Sequence, residues 1–308
     1  MSQLFTQTII AIIWDFDKTL IPGYMQSPLF EHFKMDEQVF WEEVNQLPQT
    51  YRERGCEQIS TEILYLNHIL GYVRRGVFPE LSNTMLRALG KKLEFYAGLP
   101  DFFPSLRQEL MQNPDFQHHG ITLEHYVVST GLTQMIKGSA IAPYLEGIWG
   151  CELIEDLNTD NPSVCQLGYV LDNTTKTRAI FEINKGTNKH PEISVNAQVH
   201  AEDRRIPIEN MIYVADGPSD VPVFSVVNSG GGRTYGVYHP GSDKEFKQIN
   251  QLQQQGRVQS FGPADYTLGS QTHMWLFNAA REIAQRIVRN RERIMGDKIG
   301  SAPQHLND

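Results

Sequence analysis

The chain has 308 residues, enough for one large domain or two smaller ones, and its 40% hydrophobic, 20% charged and 10% aromatic residues are ordinary proportions for a globular protein. The formal net charge of −9 argues against a nucleic-acid-binding protein, because such proteins need a basic surface to neutralise phosphates. The three cysteines are widely spaced and form no CxxC pattern, which favours reduced thiols in a cytoplasmic protein over a disulfide framework.

The first predicted element is a strand at residues 9–14 (IIAIIW), an apolar run typical of a strand buried on both faces of a parallel sheet. The preceding residues include neither a basic start nor a small-residue cleavage site, so we interpret the segment as an internal strand and not a signal peptide. No stretch of the sequence is apolar over the length that a membrane-spanning helix needs. We therefore expect no membrane partner and a cytoplasmic location.

Residues 22–97 are rich in amphipathic segments such as EQVFWEEVNQL and TEILYLNHILGYV, which favour helices. This interval is too long for a single crossover between neighbouring strands. We interpret it as an α-helical cap domain, residues 22–97, inserted above the carboxyl edge of the sheet. The core domain then comprises residues 1–21 and 98–308.

Further strands are predicted at residues 125–129, 211–215 and 234–238, with helices at 101–111, 133–139, 177–185 and 221–227. Alternating strands and helices predict an α/β fold with a doubly wound, Rossmann-like parallel sheet. Residues 153–175 are interpreted as a β-rich excursion with turns at 158–162 and 172–173, and residues 186–207 as a surface loop. An amphipathic helix is expected at residues 271–293.

Reactive side chains follow several predicted strands where a ligand would bind in an open α/β sheet. They are Asp15 and Asp17 after the first strand, Ser129, Thr130 and Gly131 at the end of the second, Asp216 and Asp220 in ADGPSD, and Lys176 near the start of a helix. Carboxylates that converge on one edge are costly without a cation, and clustered Asp oxygens are the ligands that Mg²⁺ prefers. The sequence therefore predicts a magnesium site that also receives a phosphoryl group.

The segments DFDKTL, VVSTG, a helix-opening lysine and ADGPSD resemble, in the same order, the four motifs of the haloacid dehalogenase-like hydrolases. The resemblance spans residues 9–240 and is closest to the phosphoserine-phosphatase-like branch, which carries a helical C1-type cap after the first motif. It implies an aspartyl-phosphate intermediate on Asp15, with Asp17 as the acid and base. Dehalogenase members lack this second aspartate, so its presence favours phosphate chemistry.

The resemblance also implies the ligands of the metal and of the substrate phosphate. Mg²⁺ would be held by Asp15, by the backbone carbonyl of Asp17 and by Asp216, with Asp220 behind them or reaching the metal through water. The substrate phosphate would be bound by Ser129 with the adjacent Thr130 and Gly131, and by Lys176, which would also position the nucleophile.

Two lysines compete for the role of the motif lysine. Lys176 is favoured because the lysine of the family tends to open the helix before the fourth motif, but Lys185 in INKG is closer in sequence to Asp216. Lys18 is left out of the mechanism, since the phosphorylated aspartate of cation pumps stands directly before its lysine and here the register differs.

Other polar residues have simpler explanations. His118 and His119 are expected to be a solvated pair, and Arg52 and Arg54 in the insertion are expected to be surface charges, although an arginine of a cap can hold the carboxylate or phosphate of a substrate.

The predicted function is that of a Mg²⁺-dependent phosphomonoester hydrolase that acts on a small phosphorylated metabolite. The alternatives are a phosphotransferase of the same superfamily and a non-catalytic binding module. The segment IPGYMQSPLF does not supply a clear Glu/Arg pair for a substrate carboxylate, which argues against phosphoserine itself. The sequence indicates no oligomeric state.

Overall fold

Seven strands form one sheet in the computed structural model, which describes residues 6–158 and 162–300. In chain order they are β1 (Ile9–Trp14), β2 (Thr122–Leu132), β3 (Gly147–Glu155), β4 (Val164–Tyr169), β5 (Met211–Ala215), β6 (Arg233–Tyr238) and β7 (Ser260–Pro263). Their spatial order is β4-β3-β2-β1-β5-β6-β7, and neighbouring strands are parallel except for the antiparallel pair β3 and β4. The predicted α/β class is confirmed.

Helices occupy much of the chain between the strands. They are α1 (Ser27–His32), α2 (Glu37–Glu53), α3 (Thr61–Arg74), α4 (Asn83–Gly90), α5 (Phe102–Leu110), α6 (Pro114–His118), α7 (Thr133–Gly138), α8 (Lys176–Lys185), α9 (Val221–Ser229), α10 (Asp243–Gln254) and α11 (Gln271–Gly300). The first six lie between β1 and β2, and four of these, α1 to α4, fall within the helical insertion that the sequence predicts at residues 22–97. No helix in the described part of the chain combines the length and apolar character needed to cross a membrane.

The register of the three central strands brings their carboxyl ends together. Trp14, the last residue of β1, lies opposite Val127 of β2 and Val214 of β5. The β1 strand is apolar along its whole length and, from Ile10 onwards, inaccessible to solvent, as expected for a strand that has neighbours on both edges and helices around it. The residues that follow these strands therefore meet at one edge of the sheet.

The second strand is longer than the sequence predicts. The prediction ended it at Ser129 because Thr130 and Gly131 are typical of a turn, but β2 continues to Leu132, which pairs with Cys151 of β3 after an irregularity in the register. The C-terminal helix is also longer than predicted, since α11 continues beyond residue 293 to Gly300. For β2, the pairing with β3 extends the strand past a local turn signal.

Helix α4 belongs to the predicted insertion but packs closely on α7. A Cβ atom added to Gly90 would lie 2.1 Å from the carbonyl oxygen of Met135, and one added to Gly138 would lie 1.9 Å from that of Arg87. Only glycine allows the two backbones to approach in this way. The last helix of the insertion is thereby joined to the core, and the division into residues 22–97 and the remainder stays a prediction.

The β-rich excursion predicted at 153–175 is the antiparallel pair of β3 and β4, although β3 begins earlier, at Gly147. Part of the turn predicted at 158–162 lies outside the described residues. The loop at 186–207 is fixed to the sheet near its end, because the Arg205 guanidinium donates hydrogen bonds of 2.6 and 2.7 Å to the Glu124 carboxylate.

Candidate active site

Three carboxylates meet at the carboxyl edge of the sheet. Each of Asp15, Asp216 and Asp220 offers an oxygen within 4.8 Å of the others. Asp15 directly follows β1, and its backbone N–H donates a 2.9 Å hydrogen bond to the carbonyl of Val214 on β5. Asp216 directly follows β5, so the pairing of these two strands accounts for the short distance between the carboxylates.

Lys176 lies between two of these carboxylates. Its Nζ is 2.8 Å from Oδ1 of Asp15 and 2.7 Å from Oδ1 of Asp220, and all three side chains are at least nine-tenths buried. The lysine is the first residue of α8, which is the position that the sequence favours for the motif lysine. Helix α8 thus delivers an ammonium group into the carboxylate cluster.

The competing candidate, Lys185, lies at the opposite end of the same helix. Its Nζ donates hydrogen bonds of 2.6 and 2.7 Å to the carbonyl oxygens of Val195 and Ala197, in the loop at 186–207. These contacts account for its position by stabilising the loop. The structure therefore brings Lys176, and not Lys185, to Asp15.

Burial and mutual repulsion raise the pKa values of the carboxyl groups. Burial raises the pKa of Asp15 to about 6, although the charge of Lys176 opposes this effect. The pKa of Asp17 rises to about 8 through burial and the negative charge of Asp15. Burial, Asp15 and Asp220 together raise the pKa of Asp216 well above its usual range. The negative charges of these carboxylates are therefore not fully balanced by the positive charges around them.

The cation already present remains charged. Burial alone would lower the pKa of Lys176, but the charges of Asp15 and Asp220 and their hydrogen bonds outweigh this effect and raise it. One ammonium group faces several carboxylates, so a second cation would relieve the remaining repulsion. Carboxylate oxygens are hard ligands of the kind that Mg²⁺ takes, and the residues present therefore fit this metal.

Asp17 is directed differently from Asp15. Its Oδ1 accepts a 3.0 Å hydrogen bond from the backbone N–H of Met25, and the residue lies in the wall of a cavity of about 630 Å³. This contact holds the carboxyl group beside the carboxylate cluster and open to the cavity. The two aspartates of DFDKTL therefore have different surroundings. Asp15 contacts Lys176, whereas Asp17 lies in the wall of the cavity.

The segment after the second strand's predicted end lies at the same edge. The Ser129 hydroxyl is buried and accepts a 3.0 Å hydrogen bond from the backbone N–H of Gly131. Thr130 lies in the wall of the same cavity as Asp17. A Cβ at Gly131 would lie 2.2 Å from Cε of Met25, so a larger residue here would displace the end of the Met25 side chain.

The cavity lies between the sheet edge and the inserted helices. Asp17 and Thr130 contribute to its wall from the sheet edge, and Trp41 and Glu42 of α2 with Glu62 and Tyr65 of α3 contribute from the insertion. The Tyr65 hydroxyl donates a 2.8 Å hydrogen bond to the carbonyl oxygen of Thr130, which links α3 directly to this edge.

Several residues of the site were not predicted. The Tyr213 hydroxyl, from β5, donates a 2.5 Å hydrogen bond to Oδ1 of Asp220, and the Ser219 hydroxyl donates one of 2.8 Å to Oδ2. Thr19 donates a 3.3 Å hydrogen bond to Oδ2 of Asp15. Thr19 is part of the D-x-D-x-T pattern, and Tyr213 carries the hydroxyl group of an otherwise apolar strand. Both residues could therefore have been recognised from the sequence.

The remaining polar candidates form no ion pair with the carboxylate cluster in the described part of the chain, although the charge of Lys18 acts on Asp17 and Asp216. The expectation of a solvated histidine pair is wrong for His119, which is buried with Nε2 at 3.8 Å from Glu292. Arg52 and Arg54 are exposed, as predicted. Lys18 places its Nζ 4.7 Å from the ring centre of Tyr24.

A search against protein-family models found no match. The chain is 39% identical over 284 residues to a protein of Borreliella burgdorferi that is described as uncharacterized, and the match covers 88% of this chain and 96% of the other. The chain therefore belongs to the same family as that protein, whose description states no activity.

Solved structures to which the chain shows a distant likeness include a hydrolase of the haloacid dehalogenase family from Salmonella enterica serovar Typhi, with a TM-score of 0.49, 14% identity, and coverage of 83% of this chain and 67% of the other. A phosphoserine phosphatase in a phospho-aspartyl intermediate analogue form has a TM-score of 0.45, 15% identity, and coverage of 82% and 92%. Cytosolic 5′-nucleotidase IIIB bound to cytidine has a TM-score of 0.46, 13% identity, and coverage of 94% and 89%. Likenesses this distant carry no argument about this chain, and the activity has to be argued from the site.

The carboxylate cluster predicts that a divalent cation stabilises the folded chain. At a Mg²⁺ concentration about 100 times the dissociation constant, the free energy of unfolding should rise by about 2.7 kcal/mol relative to a solution with chelator. Thermal denaturation followed by circular dichroism measures the effect. Asp216→Asn should lose it, whereas Asp243→Asn, at an exposed position of α10, should retain it. An equal Mg²⁺ response in Asp216→Asn and wild type would contradict the assignment.

Proposed function

We propose that this chain is a Mg²⁺-dependent phosphomonoester hydrolase of the haloacid dehalogenase-like type, acting through an aspartyl-phosphate on Asp15. The observation that supports this most strongly is the buried contact of Lys176 with Asp15 and Asp220, next to Asp216. An ion-pair cluster buried so completely is costly to maintain for stability alone. Its position at the carboxyl edge of the sheet is where ligands bind in this fold class.

Asp15 is the nucleophile in this proposal. One of its carboxylate oxygens attacks phosphorus, a P–O bond forms to Asp15, and the bond to the leaving alcohol breaks. Lys176 holds Oδ1 of Asp15 at 2.8 Å and Thr19 donates to Oδ2, so the carboxylate is fixed before the substrate arrives. This fixed orientation reduces the entropy that the attack would otherwise cost.

Asp17 moves the protons. In the first half-reaction it protonates the departing alkoxide, and in the second it takes a proton from the water that attacks the aspartyl-phosphate. That attack breaks the bond between phosphorus and Asp15 and releases inorganic phosphate. The support for this role is the position of Asp17. It is two residues after the nucleophile Asp15 and lies in the wall of the cavity, where a leaving group would be accommodated.

The metal would be held by Asp15, by Asp216 and by the backbone carbonyl of Asp17, with Asp220 behind them or reaching it through water, and when bound it would offset the negative charge of the phosphoryl oxygens. The fit rests on the oxygen donors that lie together at this edge. Ser129 and the adjacent Thr130 and Gly131 would contact the remaining phosphoryl oxygens.

A small phosphorylated metabolite suits the cavity. Its volume of about 630 Å³ is in the range of pockets for small molecules, and its wall combines the sheet edge with helices of the insertion. We therefore keep the division into a core, residues 1–21 and 98–308, and a cap, residues 22–97, as part of the proposal. The cap would select the leaving group and exclude water.

The nucleophile is tested by Asp15→Asn. Mg²⁺-dependent release of phosphate from 4-nitrophenyl phosphate should fall by at least about 10³-fold, because the amide cannot form the acyl-phosphate. Asp101→Asn, an exposed aspartate at the start of α5, is the matched control and should keep wild-type turnover. Equal activity of Asp15→Asn and wild type would refute the nucleophile assignment.

The two lysines are separated by comparing Lys176→Met with Lys185→Met. The first should lower kcat by about 10²-fold or more, because the nucleophile loses its positioning cation. The second should remain close to wild type in kcat, since Lys185 contacts only loop carbonyls among the described residues. Circular dichroism verifies that each variant is folded. A folded Lys176→Met with wild-type turnover, or loss of turnover only in Lys185→Met, would contradict the assignment.

A further inference from the structure

The wall of the cavity next to Asp17 is acidic. Besides Asp17, it contains Glu62 at the start of α3 and Glu42 on α2. Among the described residues that form this wall, none is a lysine or an arginine. The Lys18 ammonium lies against the ring of Tyr24 at one side of the wall, but the wall residues themselves carry carboxylates, so a leaving group with a carboxylate would meet charges of its own sign. A leaving group that carries a positive charge would be attracted.

Of the two glutamates, Glu62 is better placed than Glu42 to attract a positively charged group in the cavity. Its side chain is half-buried, whereas Glu42 is exposed and its charge is more strongly screened by solvent. Oε1 of Glu62 accepts a 2.9 Å hydrogen bond from Nδ2 of Asn173, and Oε2 accepts one of 2.8 Å from the Ser60 hydroxyl. These neutral donors fix the carboxylate at the boundary between the insertion and the core but leave its negative charge uncompensated.

Aromatic rings line the same cavity. Trp41 lies with its ring centre 5.2 Å from that of Tyr24 and 5.8 Å from that of Tyr65, and all three residues contribute to the wall. Aromatic faces attract cations, and the Tyr24 ring already has the Lys18 ammonium at 4.7 Å. The wall therefore offers both carboxylates and aromatic faces, which is a favourable environment for an ammonium group.

The amide oxygen of a buried glutamine in the wall lacks a donor, although the side chain is hydrogen-bonded to Tyr65. Gln26 is 2% exposed, lines the cavity, and its Oε1 accepts no hydrogen bond in the described structure. A buried acceptor without a donor is costly, because it has lost its hydrogen bond to water without replacing it. A ligand that donates an N–H to this oxygen would remove that cost, and an anionic ligand group would not.

We propose that the leaving group of the substrate carries a positively charged amine and no carboxylate. The substrate is then dipolar, with its phosphate directed to Lys176 and the carboxylate cluster and its ammonium group directed to Glu62, the aromatic rings and Gln26. This proposal rests on the proposed phosphomonoester hydrolase activity and adds to it the chemical class of the leaving group.

Three aryl phosphates that differ only in a distant charge test the proposal. They are 4-(aminomethyl)phenyl, 4-(hydroxymethyl)phenyl and 4-(carboxymethyl)phenyl phosphate, in which the methylene group limits the effect of the substituent on the phenol. We expect kcat/KM to decrease in that order, with the ammonium compound exceeding the carboxylate by about tenfold or more. Equal values, or a preference for the carboxylate, would overturn the inference.

Glu62→Gln tests the residue that we hold responsible. Glutamine keeps an oxygen that can accept the Asn173 hydrogen bond but removes the charge, so the ratio of kcat/KM for the ammonium over the carboxylate compound should fall by about threefold or more. Glu57→Gln changes an exposed glutamate of the insertion and should leave the ratio unchanged. An unchanged ratio in Glu62→Gln would also overturn the inference.

The same experiment distinguishes the inference about the amine from the proposed phosphatase activity. Turnover of all three compounds at equal rates, abolished by Asp15→Asn, would overturn the amine inference and leave the phosphatase standing. Absence of turnover of all three compounds by wild type in the presence of Mg²⁺ would overturn both.

Discussion

The buried contact of Lys176 with Asp15 and Asp220 is the constraint on which the rest of the site depends. The lysine is 161 residues from one partner and 44 from the other, so the contact exists only when β1, α8 and the segment after β5 are all in place. Removing one member would leave an uncompensated buried charge, which is more costly than the pair is stabilising. The fold and the reactive site therefore form together.

The site has two ends of opposite character. At the sheet edge, an ammonium group and a fitting place for Mg²⁺ suit a phosphate, whereas the inserted helices offer Glu62, aromatic rings and an unpaired amide oxygen. Asp17 lies between these ends, in the wall of the cavity. In the proposed function, the sheet edge performs the same chemistry on any phosphomonoester and the insertion determines which leaving group is accepted.

The sequence predicts which residues meet at the carboxyl edge of the sheet, because these residues belong to short motifs at the ends of strands. DFDKTL and ADGPSD follow apolar strands, and parallel strands bring their carboxyl ends together whatever lies between them. Lys176 and Lys185 could not be separated with certainty from their spacing, since they begin and end the same helix. Gln26 and Glu62 were missed because the residues that an insertion contributes to a cavity wall depend on tertiary packing and follow no local pattern.

The formation of an acyl-phosphate on Asp15 is tested most directly by trapping it. Wild-type protein is quenched with acid during turnover, reduced with borohydride, digested and analysed by peptide mass spectrometry. Reduction of an aspartyl-phosphate gives homoserine, so the account predicts homoserine at position 15, dependent on substrate. Release of phosphate with homoserine at another aspartate, or with none at position 15, would contradict it.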